Sequence, residues 1–231
     1  MVSWAYLIVP IMIAILFLLH YYIYGRLKRV LKVNRYFLAF ALGLLTASFI
    51  LMEIIERHWS NKITNTLYFF SSVWLGVLFF LVFGFALLDL INFLLKLAKA
   101  KTNYRQMGGM LLVFILIITI YSIINATTVT VNHLDLQFPN LEKDLKVVQI
   151  SDAHIGVVHS TSYIEQIVQK TNALNPDMIL ITGDFFDESN DIQEDDISPL
   201  KNLNARYGTY FVTGNHETYF GKEKAIKWLE N

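Results

Sequence analysis

Hydrophobic positions divide this chain into two halves with different rhythms. The first half carries long, nearly unbroken apolar stretches; in the second, short β-branched runs alternate with amphipathic stretches. From Met1 to Gly25 there is no Asp, Glu, Lys or Arg. A helix over 4–24 is long enough to cross a hydrocarbon core of about 30 Å. The same pattern predicts spans over 36–55, 67–88 and 107–126. A cleaved secretory signal would need a basic leader and a shorter apolar run, and neither is present. Pro10 is compatible with a span, because neighbouring helices can satisfy the carbonyl it frees. Gly76 and Gly84 would let the third span approach a neighbour closely. Residues 1–126 are therefore expected to form a four-helix transmembrane domain, and 127–231 a polar domain.

The second half repeats strand, loop and helix. The runs 145–151, 178–182 and 209–213 read as strands, the first of the kind buried on both faces of a parallel sheet. Alternation over 126–131 predicts an edge strand leaving the last span. Pro139-Asn140 predicts a turn, and His133 reads as a surface histidine. Ser162 and Glu165 have capping-box spacing, and Asn175-Pro176-Asp177 ends the helix that follows. Ser198-Pro199 predicts a helix start with proline at the first position, and 222–229 a last helix. Strands alternating with helices imply a parallel α/β core with right-handed crossovers.

Composition sharpens the membrane reading. Of 231 residues, 55% are hydrophobic and 16% charged, with mean hydropathy +0.44. That charged share is well below the roughly one quarter usual in soluble domains. Nineteen basic and nineteen acidic residues cancel, so net charge gives no sign of a nucleic-acid partner. The absence of cysteine excludes disulfides, thiolate metal sites and a cysteine nucleophile. The basic residues are unevenly placed. Arg26, Lys28, Arg29, Lys32 and Arg35 lie between spans one and two, and Lys96, Lys99, Lys101 and Arg105 between three and four, against Asp89 alone. Only Arg57 and Lys62 lie between two and three. By the positive-inside rule, the first and third loops are cytoplasmic, and the N-terminus and polar half are extracytoplasmic. His20 and His58 read as interfacial residues, and Glu53 and Glu56 as a solvated helix end.

The chemistry sits where strands stop. Val147–Ile150 runs into Ser151-Asp152-Ala153-His154, and Met178–Thr182 into Gly183-Asp184-Phe185-Phe186-Asp187. Tyr210–Thr213 runs into Gly214-Asn215-His216-Glu217. Open α/β sheets place ligands at such strand ends. Asp152 with His154 is a mixed oxygen and nitrogen donor set suited to a first-row divalent ion. Asp184 has two oxygens and could bridge two ions; Asn215 offers an amide oxygen. His216 could be a ligand, or could protonate a leaving oxygen. Gly183 and Gly214 permit tight turns. Asp187 either orients a ligand or is a solvated loop residue; Glu217 either orients His216 or caps the next segment. His159 lies too far along its loop to assign, and Asp191, Glu194, Asp195 and Asp196 read as a solvated acidic loop.

Together, Asp152-x-His154, Gly183-Asp184-x-x-Asp187 and Gly214-Asn215-His216-Glu217 resemble the first three motifs of calcineurin-like metallophosphoesterases. Ser-Asp-x-His-Ile-Gly following membrane spans resembles the membrane-anchored bacterial branch. The resemblance covers 145–220. It implies a β-sandwich core flanked by helices and a dinuclear centre of two divalent ions, manganese, iron or zinc. It places Asp152 and His154 on one ion, Asp184 as the bridge and Asn215 on the second, with His216 as proton donor or phosphate contact. It implies a hydrolase of phosphate ester or pyrophosphate bonds, with the lipid bilayer and a phosphorylated small molecule or lipid-linked substrate as partners. The family pattern continues with further histidines, whereas no histidine follows His216. The polar half is thus expected to be the N-terminal portion of a phosphoesterase domain, C-terminally incomplete and turning over little as it stands. The alternative is a degenerate fold that binds a partner or ligand without catalysis.

Overall fold

The computed structural model describes residues 3–139, 141–187 and 192–230, excepting the side chains of 3–9, 53 and 57. The expected turn residue Asn140, the acidic Asp191 and the side chains of Glu53 and Arg57 lie outside the described residues. The chain divides into two compact units, Met1–Ile55 with Thr66–Ile123, and Glu56–Asn65 with Ile124–Asn231.

The first unit is built from four helices, α1 (Ser3–Val30), α2 (Arg35–His58), α3 (Lys62–Leu97) and α4 (Tyr104–Ala126). All four are long and apolar enough to cross a membrane. All four outrun their predicted spans, α1 and α3 by the most, since α1 continues to Val30 and α3 occupies 36 residues. Apolar patterning finds the stretch that lipid tolerates, whereas helix geometry continues into polar residues. Lys28 and Arg29 in the last turn of α1 suit the negative end of a helix dipole. Ile23, Leu27, Leu78, Leu81 and Phe85 are buried together between these helices.

Three polar side chains depart from expectation. Asp89 is no loop charge but a residue of α3 that ties three helices. Its Oδ2 accepts from Arg26 Nε at 2.6 Å and from the Tyr22 hydroxyl at 2.9 Å, and its Oδ1 from the Tyr104 hydroxyl at 2.8 Å. His20 is a core residue, 4% exposed, rather than an interfacial one. The Trp74 indole N–H can only donate and lies 3.0 Å from Nε2. Nδ1 therefore carries the proton and donates to the Leu16 carbonyl at 2.8 Å. Glu56 is buried instead of solvated, and the Ser60 hydroxyl donates to its Oε1 at 3.3 Å.

Of the two glycines expected to admit a neighbour, Gly84 does so. A Cβ there would lie 2.9 Å from Leu111 Cδ1, whereas nothing lies within 4 Å of one built at Gly76. The tightest approach is at Gly108, where a Cβ would meet Val30 Cγ2 at 2.3 Å. Gly108→Ala should destabilise the α1–α4 contact by about 1–3 kcal/mol. Thermal unfolding in detergent should show the loss, and Val30→Ala in the same chain should restore most of it.

The second unit contains β1 (Val147–Ile150), α5 (Thr161–Ala173), β2 (Met178–Thr182), a 3-10 helix (Glu194–Asn202), β3 (Thr209–Val212), α6 (Asn215–Phe220) and α7 (Lys222–Glu230). The strands form a parallel sheet in the order β1-β2-β3. In register, Ile150 sits beside Ile181 and Ile181 beside Phe211, so these side chains share one face. That face meets Ile164, Ile167 and Val168 of α5 in the core. The helix ends at Ala173, and Asn175 turns back with φ +48°. Covering of one face only corrects the expectation for β1. Val147, Tyr210 and Val212 are 42%, 55% and 59% exposed on the other face.

Local capping and pairing explain the other departures. Residues 127–131 form no strand; side chains from α5 take over their carbonyls, Gln166 on Thr127 and Lys170 on Val129. A β-branched run stays irregular when no strand is beside it to complete the ladder. The helix at α5 begins at Thr161 behind Ser160, so Ser162 and Glu165 do not form the expected capping box. The helix expected at Ser198-Pro199 begins earlier, as a 3-10 helix with Pro199 inside. There the Gln193 N–H donates to Asp196 Oδ2 at 2.8 Å and sets the start.

Candidate metal centre

Pairing between β1 and β2 continues past both strand ends and brings their polar clusters together. The N–H groups of Asp152, His154 and Ile155 donate to the carbonyls of Gly183, Asp184 and Phe185 at 3.3, 3.1 and 2.8 Å. The Asp187 N–H returns to the Ile155 carbonyl at 2.8 Å. Ala153 and Ile155 point into the core, 4% and 1% exposed, which turns Asp152 and His154 the other way. Both hold positive φ, +55° and +44°, and Asp184 holds +49°. Non-glycine residues rarely occupy that region, and they cluster there where function requires it. Asp152 also accepts from the Ser151 hydroxyl.

The third cluster joins through two glycines and a carboxylate. A Cβ on Gly183, whose φ is +88°, would lie 2.7 Å from the Gly214 nitrogen; one on Gly214 would lie 2.3 Å from Asp184 Oδ1. Only hydrogen at both positions lets the strand ends abut. Glu217, on α6, is fully buried. Its Oε2 accepts the N–H groups of Gly214 and Asp184 at 2.6 and 2.9 Å, and its Oε1 those of Phe185 and Phe186 at 2.8 and 3.0 Å. Glu217 therefore braces the backbone of two clusters and does not touch the His216 ring as a partner. The short helix α6 escaped sequence reading. Its signal was a Glu three residues after Gly214, the spacing at which a carboxylate reaches a helix start. Behind it Phe186 stacks on Phe220 at 4.6 Å, and Lys224 lies over Phe220 and Trp228 at 4.2 and 4.4 Å. Burial lowers the Lys224 pKa.

The result is a compact donor set. Side-chain donors of Asp152, His154 and Asp184 lie within 4.8 Å of one another, as do those of His154, Asp187 and His216. His154 belongs to both groups, and its ring meets the His216 ring edge to face, centroids 4.5 Å apart. The His216 N–H donates to Asp184 Oδ1 at 2.9 Å. Its Nδ1 is buried, 3.5 Å from Asp187 Oδ1, and makes no hydrogen bond among the described residues. Buried polar atoms are nearly always partnered, so such an atom points to a missing ion or water. Asn215 opens α6 with its side chain exposed. Asp187 stands beside His216, its side chain still 41% exposed. Carboxylates and imidazoles at this spacing fit a first-row divalent ion. His159 lies outside the donor set, stacked on Tyr163.

Residues 145–231 match the calcineurin-like phosphoesterase family. A metallophosphoesterase of Campylobacter jejuni is 29% identical over 97% of this chain and 62% of its own length. A transmembrane protein with metallophosphoesterase domain from Danio rerio is 30% identical over 79% of this chain and 43% of its own. A UDP-2,3-diacylglucosamine pyrophosphatase of Chlamydia muridarum is 34% identical over 34% of this chain and 25% of its own. The chain thus spans less than two thirds of each of these relatives. No solved structure matches it. Residues 145–231, in which carboxylates and imidazoles converge at the ends of parallel strands, thus form a calcineurin-like phosphoesterase domain.

Proposed function

We propose that this chain is the membrane-anchored part of a metal-dependent hydrolase that cleaves phosphate ester or pyrophosphate bonds outside the cytoplasm. The observation that carries the reading is the donor set: Asp152, His154 and Asp184 in one group, and His154, Asp187 and His216 in the other. Asp152, His154, Asp184 and Asn215 would hold two divalent ions. Such ions, when bound, neutralise phosphoryl oxygens and make water a competent nucleophile. His216 delivers the proton to the leaving oxygen, and Asp187 stands beside its ring, 3.5 Å from Nδ1. Gly183, Gly214 and Glu217 hold the ends of β2 and β3 together. Residues 1–126 form the anchor and 127–231 the phosphoesterase portion.

The distribution of charge supports this side of the membrane. Basic residues crowd the α1–α2 and α3–α4 junctions, helix ends included, which favours cytoplasmic placement of both. The name of the Chlamydia relative supports a pyrophosphate bond in a lipid-linked substrate as the target. Right-side-out vesicles carrying the full-length protein should hydrolyse an impermeant chromogenic phosphodiester with manganese, and external EDTA should stop them. Hydrolysis seen only after permeabilisation would overturn the orientation. None in either state would overturn the enzymatic reading.

A further inference from the structure

His159 closes the loop that carries Asp152 and His154. Its carbonyl accepts the Gly156 N–H at 3.0 Å. Its ring stacks on Tyr163, centroids 4.2 Å apart and planes 13° from parallel. Ring Nδ1 lies 2.8 Å from the Ala153 carbonyl oxygen, and Nε2 lies 3.0 Å from that of Ala126. Both oxygens can only accept. A neutral imidazole has one N–H and can satisfy one of them; an imidazolium donates to both. Ala153 stands between Asp152 and His154, so this bond acts on the backbone that aims the two side chains.

We infer that His159 is a positioning residue whose protonation state sets how firmly the Asp152–His154 loop is held. As imidazolium it clips Ala153 and Ala126 together; as neutral imidazole it must release one. The surrounding ionisable groups leave this role to His159. Tyr163 on α5 presents its ring face, and burial raises its hydroxyl pKa. Lys170 is engaged with the Val129 carbonyl, and Glu165 lines a separate hollow with Ser198 and Pro199. The last turn of α4, Ile123–Ala126, has no ionisable side chain. Asp152 and His154 lie on the loop itself, and a variant at 159 leaves both in place.

The inference rests on reading Asp152 and His154 as site residues, but its test needs neither metal nor turnover, so the two can fail separately. Amide exchange of residues 151–156 in the detergent-solubilised full chain would be compared with His159→Asn from about pH 5.5 to 8, where histidine changes charge. Asparagine keeps a donor but does not titrate. Wild-type protection relative to the variant should fall about five-fold across that range, as loss of one hydrogen bond implies. A constant ratio would overturn the inference. Imidazole nitrogen resonances of wild-type His159 give a second reading without any variant. Both nitrogens should be protonated in acid, with loss of one proton coinciding with the exchange step; a step at a different pH would also overturn it.

Discussion

Truncation of Glu217 to alanine should speed amide exchange at Asp184, Phe185 and Phe186 by at least about 100-fold, equivalent to about 3–5 kcal/mol of local stability. Its two carboxylate oxygens hold four backbone N–H groups from two strand ends. The side chain is fully buried, so water cannot replace it without opening the core around Phe185 and Phe186. Glu217→Gln should fall between, at about 2 kcal/mol, because its amide nitrogen must face two of those donors. Exchange rates within tenfold of wild type in the alanine variant would show that the brace is not needed.

Asp184→Ala should lower phosphodiester hydrolysis by the full-length protein at least about 100-fold, the scale on which even an outer partner of a metal site matters. Asp184 does two things at once. It contributes a carboxylate to the donor set, and its Oδ1 holds the His216 N–H at 2.9 Å. Asp184→Asn keeps an acceptor for that N–H and removes the charge. It should therefore fold like wild type yet remain inactive, which separates donor chemistry from support of His216.

The parallel core and the three strand-end clusters were legible in the sequence because both rest on short-range rules. β-branched runs such as Met178–Thr182 have few alternatives to a strand, and polar residues directly after them have nowhere to go but the sheet edge. What was not legible depended on partners distant in the chain. Glu217 read as a cap or an orienter of His216, because nothing local shows that Phe185 and Phe186, more than thirty residues earlier, would present bare N–H groups to it. His20 read as interfacial because its partner Trp74 lies 54 residues away. The edge strand expected at 126–131 failed for the opposite reason: its local pattern was right, but α5 side chains reached its carbonyls and no strand paired with it. His159 was too far along its loop to assign, and only the fold reveals the carbonyl of Ala126 on its far side.

The central claim is that the ends of three parallel strands hold divalent ions. Elemental analysis of the purified full-length protein after manganese loading and desalting tests it most directly, with Asp184→Ala alongside. The account predicts about two ions per chain in the wild type and a loss of at least one in the variant. Sub-stoichiometric metal in the wild type, unchanged by Asp184→Ala, would contradict it and leave a metal-free binding module in its place.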